Sequence, residues 1–316
     1  MPWPTPMHML AAARLPPRRR SSCSRVVVIR APEQPSGWPM AIAPPLTLSR
    51  SAPVELDTGV AHPARIYDYI LGGTNNFAAD QAAAQAAMAA NPHLASAIRE
   101  NRALMRRMGA FLAGEAGIRQ FLDIGTGLPT TPNLHEVVQA VAPDARIVYV
   151  DNDPIVLAHA RALLASSKDG SCAYLEADLR SPGEILADPQ LLQTLDMSKP
   201  VGLMLVGILH FIPDSADPYG VVARLVSALA PGSYLAIQHP TADFYPPGAG
   251  TTAAAYNKAG IPFQYRSKDE FMRFLAGLAP VPPGIVPMAE WRAEEERQPR
   301  PAPVEAAAYA AVARKN

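Results

Sequence analysis

Between residues 120 and 240, short apolar runs alternate with segments whose apolar residues recur at helical spacing. The runs are "RQFLDIG", "RIVYVDND", "CAYLEADL", "VGLMLVGIL" and "SYLAIQH". Each is almost continuously apolar, the pattern of a strand covered on both faces in a parallel sheet. The intervening "NLHEVVQAVA", "PIVLAHARALLAS", a segment near 183–194 and "YGVVARLVSALA" read as helices. This alternation predicts an α/β domain with helices on both faces of the sheet. Ahead of it, "HPARIYDYILGGTNNFAADQAAAQAAM" leads into an Ala-rich helix, and a second helix covers about 95–114, where Ile98, Leu104, Met108, Phe111 and Leu112 form one stripe. After a helix at "SKDEFMRFLAGL", the runs "GIVPMAEWRA" and "EAAAYAAVARK" have no helix between them and predict an antiparallel hairpin at the end of the sheet.

Composition separates two regions. The apolar fraction of 49% over 316 residues is ample for a buried core, and no run approaches the roughly 18 apolar residues of a membrane-spanning helix. A soluble, cytoplasmic protein is expected. Residues 1–50 are rich in Pro, Arg and Ser without periodicity and are expected to be a disordered extension, with Met40 as an alternative start. Residues 51–316 are expected to form the domain. The net charge of zero conceals +6 in residues 1–50, from seven arginines and Glu33, so the remainder is −6. That acidic remainder offers no clear nucleic-acid signal. The two cysteines, Cys23 and Cys172, fit neither a disulfide framework nor a zinc spacing.

Chemistry is concentrated where strands end. "QFLDIGTGLPTTPNLHEV" carries Gly125 and Gly127 in the turn after the first core strand, the usual ligand position in open α/β sheets. Glycines there can take positive φ and let a ligand approach the backbone, with N–H groups of the following helix facing it. The third glycine of a dinucleotide fingerprint is missing. Asp151 ends the second strand, where a carboxylate can accept from both hydroxyls of a ribose. Asp178 ends the third, where it can accept from an adenine amine. An acid at a strand end can also serve only as a helix N-cap, but three successive strand ends each carry one. Asp123, two residues before Gly125, would repel a pyrophosphate and suits the cationic S-adenosylmethionine. Thr126, Asn152 and Leu179, neighbours of these residues, complete the expected cofactor contacts.

The motifs "HPARIYDYILGG", "NFAAD", "FLDIGTGLPT", "VYVDNDP" and "LHFIPD" together resemble those of the S-adenosylmethionine-dependent methyltransferases. More narrowly, they are similar to an actinobacterial-type family known by a domain-of-unknown-function label. The resemblance covers about residues 57–316. It implies the Rossmann-like class I methyltransferase fold, with a parallel sheet ending in an antiparallel hairpin, and S-adenosylmethionine as cofactor. It supplies no acceptor. Thr74-Asn75 departs from the Lys-Asp common in related sequences.

Methyl transfer can rest largely on positioning two reactants. If a base is needed, His210 and His239, near the ends of strands four and five, are the candidates. In the related fold the fourth strand borders the transferred methyl, which favours His210. Tyr67, Tyr69, Asn76 and Phe77 could form an N-terminal helical lid over the cofactor with Gly72-Gly73 as hinge, Tyr69 and Asn76 contacting the cofactor. Asn101 and Arg102 could anchor that lid or reach the cofactor carboxylate. The expected function is methyl transfer to a small-molecule acceptor. Non-catalytic cofactor binding is the alternative, and a nicotinamide-dependent oxidoreductase is less favoured.

Overall fold

The computed structural model describes residues 57–163, 166–245, 252–294 and 298–316. The expected disorder of residues 1–50 lies outside them. Three helices come first: α1 (Pro63–Ile70), α2 (Ala78–Ala90) and α3 (Leu94–Gly114). The alternating core follows as β1 (Gln120–Ile124), α4 (Leu134–Val141), β2 (Arg146–Asp151), α5 (Pro154–Leu163), β3 (Ser171–Glu176), α6 (Pro182–Ala187), α7 (Pro189–Thr194), β4 (Gly202–Val206), α8 (Pro218–Ala228) and β5 (Tyr234–Pro240). The chain then forms α9 (Thr252–Lys258), α10 (Lys268–Arg273), β6 (Ala279–Pro280), β7 (Val286–Pro287) and β8 (Ala308–Arg314).

The sheet runs β3-β2-β1-β4-β5-β8-β6, with β7 also paired to β8. Strands β1 to β5 are parallel, and β8 runs antiparallel to β5 over Tyr234–Pro240. Alternate residues of each strand enter opposite cores, as the pleat requires. Leu122, Val148, Leu203 and Leu235 pack with Leu191, Leu225 and Phe271 on one face. Phe121, Ile147, Met204 and Ala236 pack with Met108, Leu112 and Val138 on the other. Both faces are covered, so the strands have no polar side to alternate with.

Two expectations need revision. The single helix near 183–194 is two, because Pro189 has no N–H to continue α6 and Asp188, in extended geometry, caps α7 by accepting from the Gln190 N–H at 2.7 Å. The expected hairpin has one full strand. Its first partner is reduced to the two residues of β7, and β6 supplies another two at the far end of β8. Pro280, Pro282, Pro283 and Pro287 cannot donate to a ladder, so neither short strand extends. Strand β8 therefore takes its main partner from β5.

Strand order reverses between β1 and β4, with chain segments leaving them to opposite sides. A crevice opens at their carboxyl ends, and the N-terminal helices close over it. Arg65 of α1 is 6% exposed and lies 3.4 Å from Asp153, in the turn after β2, and 3.5 Å from Asp80 of α2. Asp80, fully buried, also accepts from the His62 and Phe77 backbone N–H groups, each at 2.8 Å. These buried charges tie α1 to the sheet edge and to α2.

Candidate active site

A cavity of about 370 Å³ occupies this crevice, within the range of roughly 300–1,000 Å³ usual for small-molecule sites. Asp123, Gly125, Thr126, Gly127, Asp151, Asn152, Asp178, Leu179 and His210 all line it. Helix α1 roofs it through Ala64 and Tyr67, and α3 walls it through Ile98, Asn101, Arg102 and Met105.

The loop after β1 is shaped by its glycines. Gly125 has φ +78°, and a β-carbon on it would lie 2.5 Å from the Ile208 side chain, so the turns after β1 and β4 touch only because the position is bare. Gly127, at φ +66°, has open space where a side chain would project. Its N–H donates to Asp151 Oδ2 at 2.8 Å, and the Asp153 N–H donates to Oδ1 at 3.0 Å. The N–H groups of the following helix, expected to face a ligand on this turn, do not border the cavity. Helix α4 starts only at Leu134, and a capping box between Asn133 and Glu136 occupies its first turn, with the Asn133 N–H donating to Glu136 Oε2 at 2.6 Å.

The three strand-end acids differ electrostatically. Asp123 receives no hydrogen bond or ion pair from the described residues, and burial raises its pKa to about 7, against the opposing charge of Arg102. Arg102 is itself held by the Thr130 carbonyl and, at 2.7 Å, by that of Pro132. Burial also raises the pKa of Asp151, offset by its two backbone N–H donors. Asp178 is lowered, chiefly by hydrogen bonds from Arg180, whose Nε lies 2.9 Å from Oδ1; Asn152 Nδ2 lies 3.4 Å from Oδ2.

Three expected site residues lie elsewhere. His239 does not line the cavity: its Nδ1 bonds the Pro240 carbonyl at 2.8 Å and its Nε2 accepts from Arg266 Nη1 at 2.7 Å. At 1% exposure, with burial pushing its pKa down to about 3, it is a neutral structural residue. Tyr69 faces away as well, its hydroxyl accepting from Gln85 Nε2 at 3.0 Å. Asn76 donates instead to Asp68 Oδ2 at 2.8 Å and the Gly73 carbonyl at 3.0 Å. Two positions away on α1, Tyr67 is the tyrosine on the cavity wall; it donates to the Ile98 carbonyl at 3.1 Å. The Gly72-Gly73 turn wraps the Asp68 carboxylate, where a β-carbon on Gly73 would clash at 2.1 Å.

His210 sits in a short 3-10 turn directly after β4. It is 8% exposed, neither ring nitrogen has a hydrogen-bond partner among the described residues, and its Nδ1 is fully enclosed. Burial, then His239 and Arg266, hold its pKa well below the ordinary histidine value. Two other cavity residues carry orphaned buried acceptors, Asn101 Oδ1 and Gln238 Oε1. Sequence reasoning singled out Asn101 as an anchor and passed over Gln238, which lies inside a strand with nothing to mark it. Arg65 and Asp153 were likewise unmarked, although both fall inside motifs quoted above.

The residues present fit an adenosyl cofactor carrying an ammonium group: carboxylates at three adjacent strand ends, a bare glycine turn and the unpaired Asn101 oxygen. A family model described as S-adenosyl methyltransferase matches residues 49–316. The solved structure of a DUF574 family protein from Streptomyces avermitilis MA-4680 is 48% identical, covering 82% of this chain and 99% of its own, with a TM-score of 0.77. A proposed methyltransferase from Thermobifida fusca YX is 41% identical, covering 85% of this chain and all of its own (100%), with a TM-score of 0.76. A search of curated proteins finds no match.

Proposed function

Because the chain belongs to the S-adenosyl methyltransferase family and S-adenosylmethionine is its cofactor, we propose that it methylates a small-molecule acceptor in the cytoplasm and holds the cofactor along the ends of β1, β2 and β3. The observation that carries this assignment is the run of Asp123, Asp151 and Asp178 along one cavity wall. Asp151 keeps acceptor capacity beyond its two backbone donors and would take the ribose hydroxyls. Asp178, steadied by Arg180 and Asn152, would accept from the adenine amine beside Leu179. Asp123 and the Asn101 oxygen would take the ammonium. Bound there, the cofactor supplies a methyl group already activated by the sulfonium.

The protein's contribution is then orientation and exclusion of water by α1 and α3. Among the described residues no helix is long and apolar enough to cross a membrane. Support for a small acceptor comes from the cavity, which is roofed by helix and bounded by packed side chains. The engagement of the Gly127 N–H by Asp151 argues against a pyrophosphate on this turn. Calorimetry with S-adenosylmethionine, S-adenosylhomocysteine and NAD tests the assignment. Binding of the two adenosyl compounds without NAD is expected, and tight NAD binding with no adenosyl signal would overturn it.

A further inference from the structure

Beyond the strand-end acids, the cavity changes character. Its β4–β5 side is walled by rings: Phe211 lies 3.9 Å from His210 between ring centroids, Phe263 lies 4.6 Å from His210, and Tyr256 lies 5.3 Å from Phe263. All four residues line the cavity. Buried Gln238 of β5 reaches the same side, its Nε2 directed at the Met288 sulfur at 3.8 Å and its Oε1 without a donor. Among the described residues Gln238 Oε1 and His210 Nδ1 are enclosed without a hydrogen-bond partner, and the other ring nitrogen of His210, Nε2, also has none; burying an acceptor without a donor is costly. The missing donors point to a ligand.

We propose that this compartment is the acceptor subsite and that it takes an uncharged aromatic compound bearing a phenolic hydroxyl, with Gln238 and His210 reading the hydroxyl-bearing edge. This rests on the cofactor assignment above. Flat rings match aromatic walls through offset or edge contacts. A cationic amine is disfavoured, because among the described residues no carboxylate lines this side and Arg266 stands behind it, 2.7 Å from His239 and paired with Asp214 at 2.7 Å. A neutral imidazole that resists protonation is a weak base, so it needs an acidic proton. A phenol, with a pKa near 10 as in tyrosine, meets that need where an aliphatic alcohol does not. In the transfer the hydroxyl proton passes to a free ring nitrogen of His210. The oxygen lone pair forms the O–CH₃ bond while the S–CH₃ bonding pair returns to sulfur, leaving an aryl methyl ether and S-adenosylhomocysteine.

The test begins with S-adenosylhomocysteine binding to the full chain, since failure at that step removes the cofactor assignment itself. With that ligand saturating, calorimetry compares 2-naphthol with cyclohexanol, tryptamine and benzoate. Binding of 2-naphthol alone is expected. Gln238→Leu should weaken it at least fivefold while leaving S-adenosylhomocysteine affinity unchanged. His210→Gln should retain 2-naphthol binding but slow formation of the methyl ether from S-adenosylmethionine by at least about 100-fold, the lower end of general-base assistance. Preference for tryptamine, benzoate or cyclohexanol, or an absence of 2-naphthol binding to cofactor-saturated protein, would overturn the acceptor class. Unchanged 2-naphthol affinity in folded Gln238→Leu would overturn the subsite.

Discussion

Asp123 offers the most exacting test of the cofactor site, because its charge depends on pH within the working range. Burial sets its pKa at about 7 in the free protein, so about half the molecules carry the carboxylate at pH 7 and about a tenth at pH 6. If the carboxylate receives the cofactor's ammonium, bound protons must leave first. The apparent dissociation constant for S-adenosylhomocysteine should then rise about tenfold between pH 8 and pH 6. Asp123→Asn preserves shape and removes the charge. Losing a hydrogen bond to a charged group costs about 1.5–3 kcal/mol, which corresponds to roughly 10- to 150-fold weaker binding at pH 8.

The ligand's own amine also titrates on the alkaline side, but its effect is common to both proteins and cancels in the wild-type to variant affinity ratio. That ratio, measured by calorimetry from pH 5.5 to 8.5, should be large above pH 7 and collapse below pH 6. The folded pKa lies above the unfolded value, so the charged form destabilises the fold, and this penalty develops as pH rises from about 4 to 7. Asp123→Asn should therefore melt higher than wild type at pH 8 and near wild type at pH 4.5, which separates lost binding from lost folding. Parallel pH curves for the two proteins, or equal affinity at pH 8, would refute the proposed contact.

Asp151→Ala should weaken S-adenosylhomocysteine binding by about tenfold or more, since each hydrogen bond to a charged group contributes about 1.5–3 kcal/mol; unchanged calorimetric affinity in a folded variant would reduce Asp151 to a brace for Gly127. Arg65→Met leaves Asp80 and Asp153 buried without their cation and should cost about 3–5 kcal/mol in denaturant unfolding, and a loss below 1 kcal/mol would show that α1 is not pinned by charge. Gly125→Ala forces a β-carbon into Ile208 at positive φ, and both stability and adenosyl affinity should fall; Gly125→Ala combined with Ile208→Ala should recover part of the stability. A chain beginning at Met40 should melt and bind S-adenosylhomocysteine like the full chain, and insolubility would move the domain boundary upstream.

The sheet and the cofactor edge were readable from the sequence because both follow from local pattern. Strands buried on two faces must be continuously apolar, so β1 to β5 stand out in the chain. Each parallel strand delivers the residues around its carboxyl end to the same edge, which makes Asp123 in β1, Asp151 at the end of β2 and Asp178, two residues past β3, neighbours once the topology is known. Side-chain facing was not readable in the same way. Tyr67 and Tyr69 differ by two helical positions, and which of them meets the cavity depends on how α1 packs against α3 and on the Arg65–Asp153 contact, made between segments far apart in sequence. His210 and His239 looked alike at strand ends, yet Arg266, in the segment after α9, bonds His239 and leaves His210 without a partner among the described residues. Gln238 carries no local mark; it became a candidate only when β4, β5 and β8 closed around it and left its oxygen without a donor. Hydrophobic burial is written position by position along the chain, whereas the pairing of polar groups is decided by residues that meet only after the chain has folded.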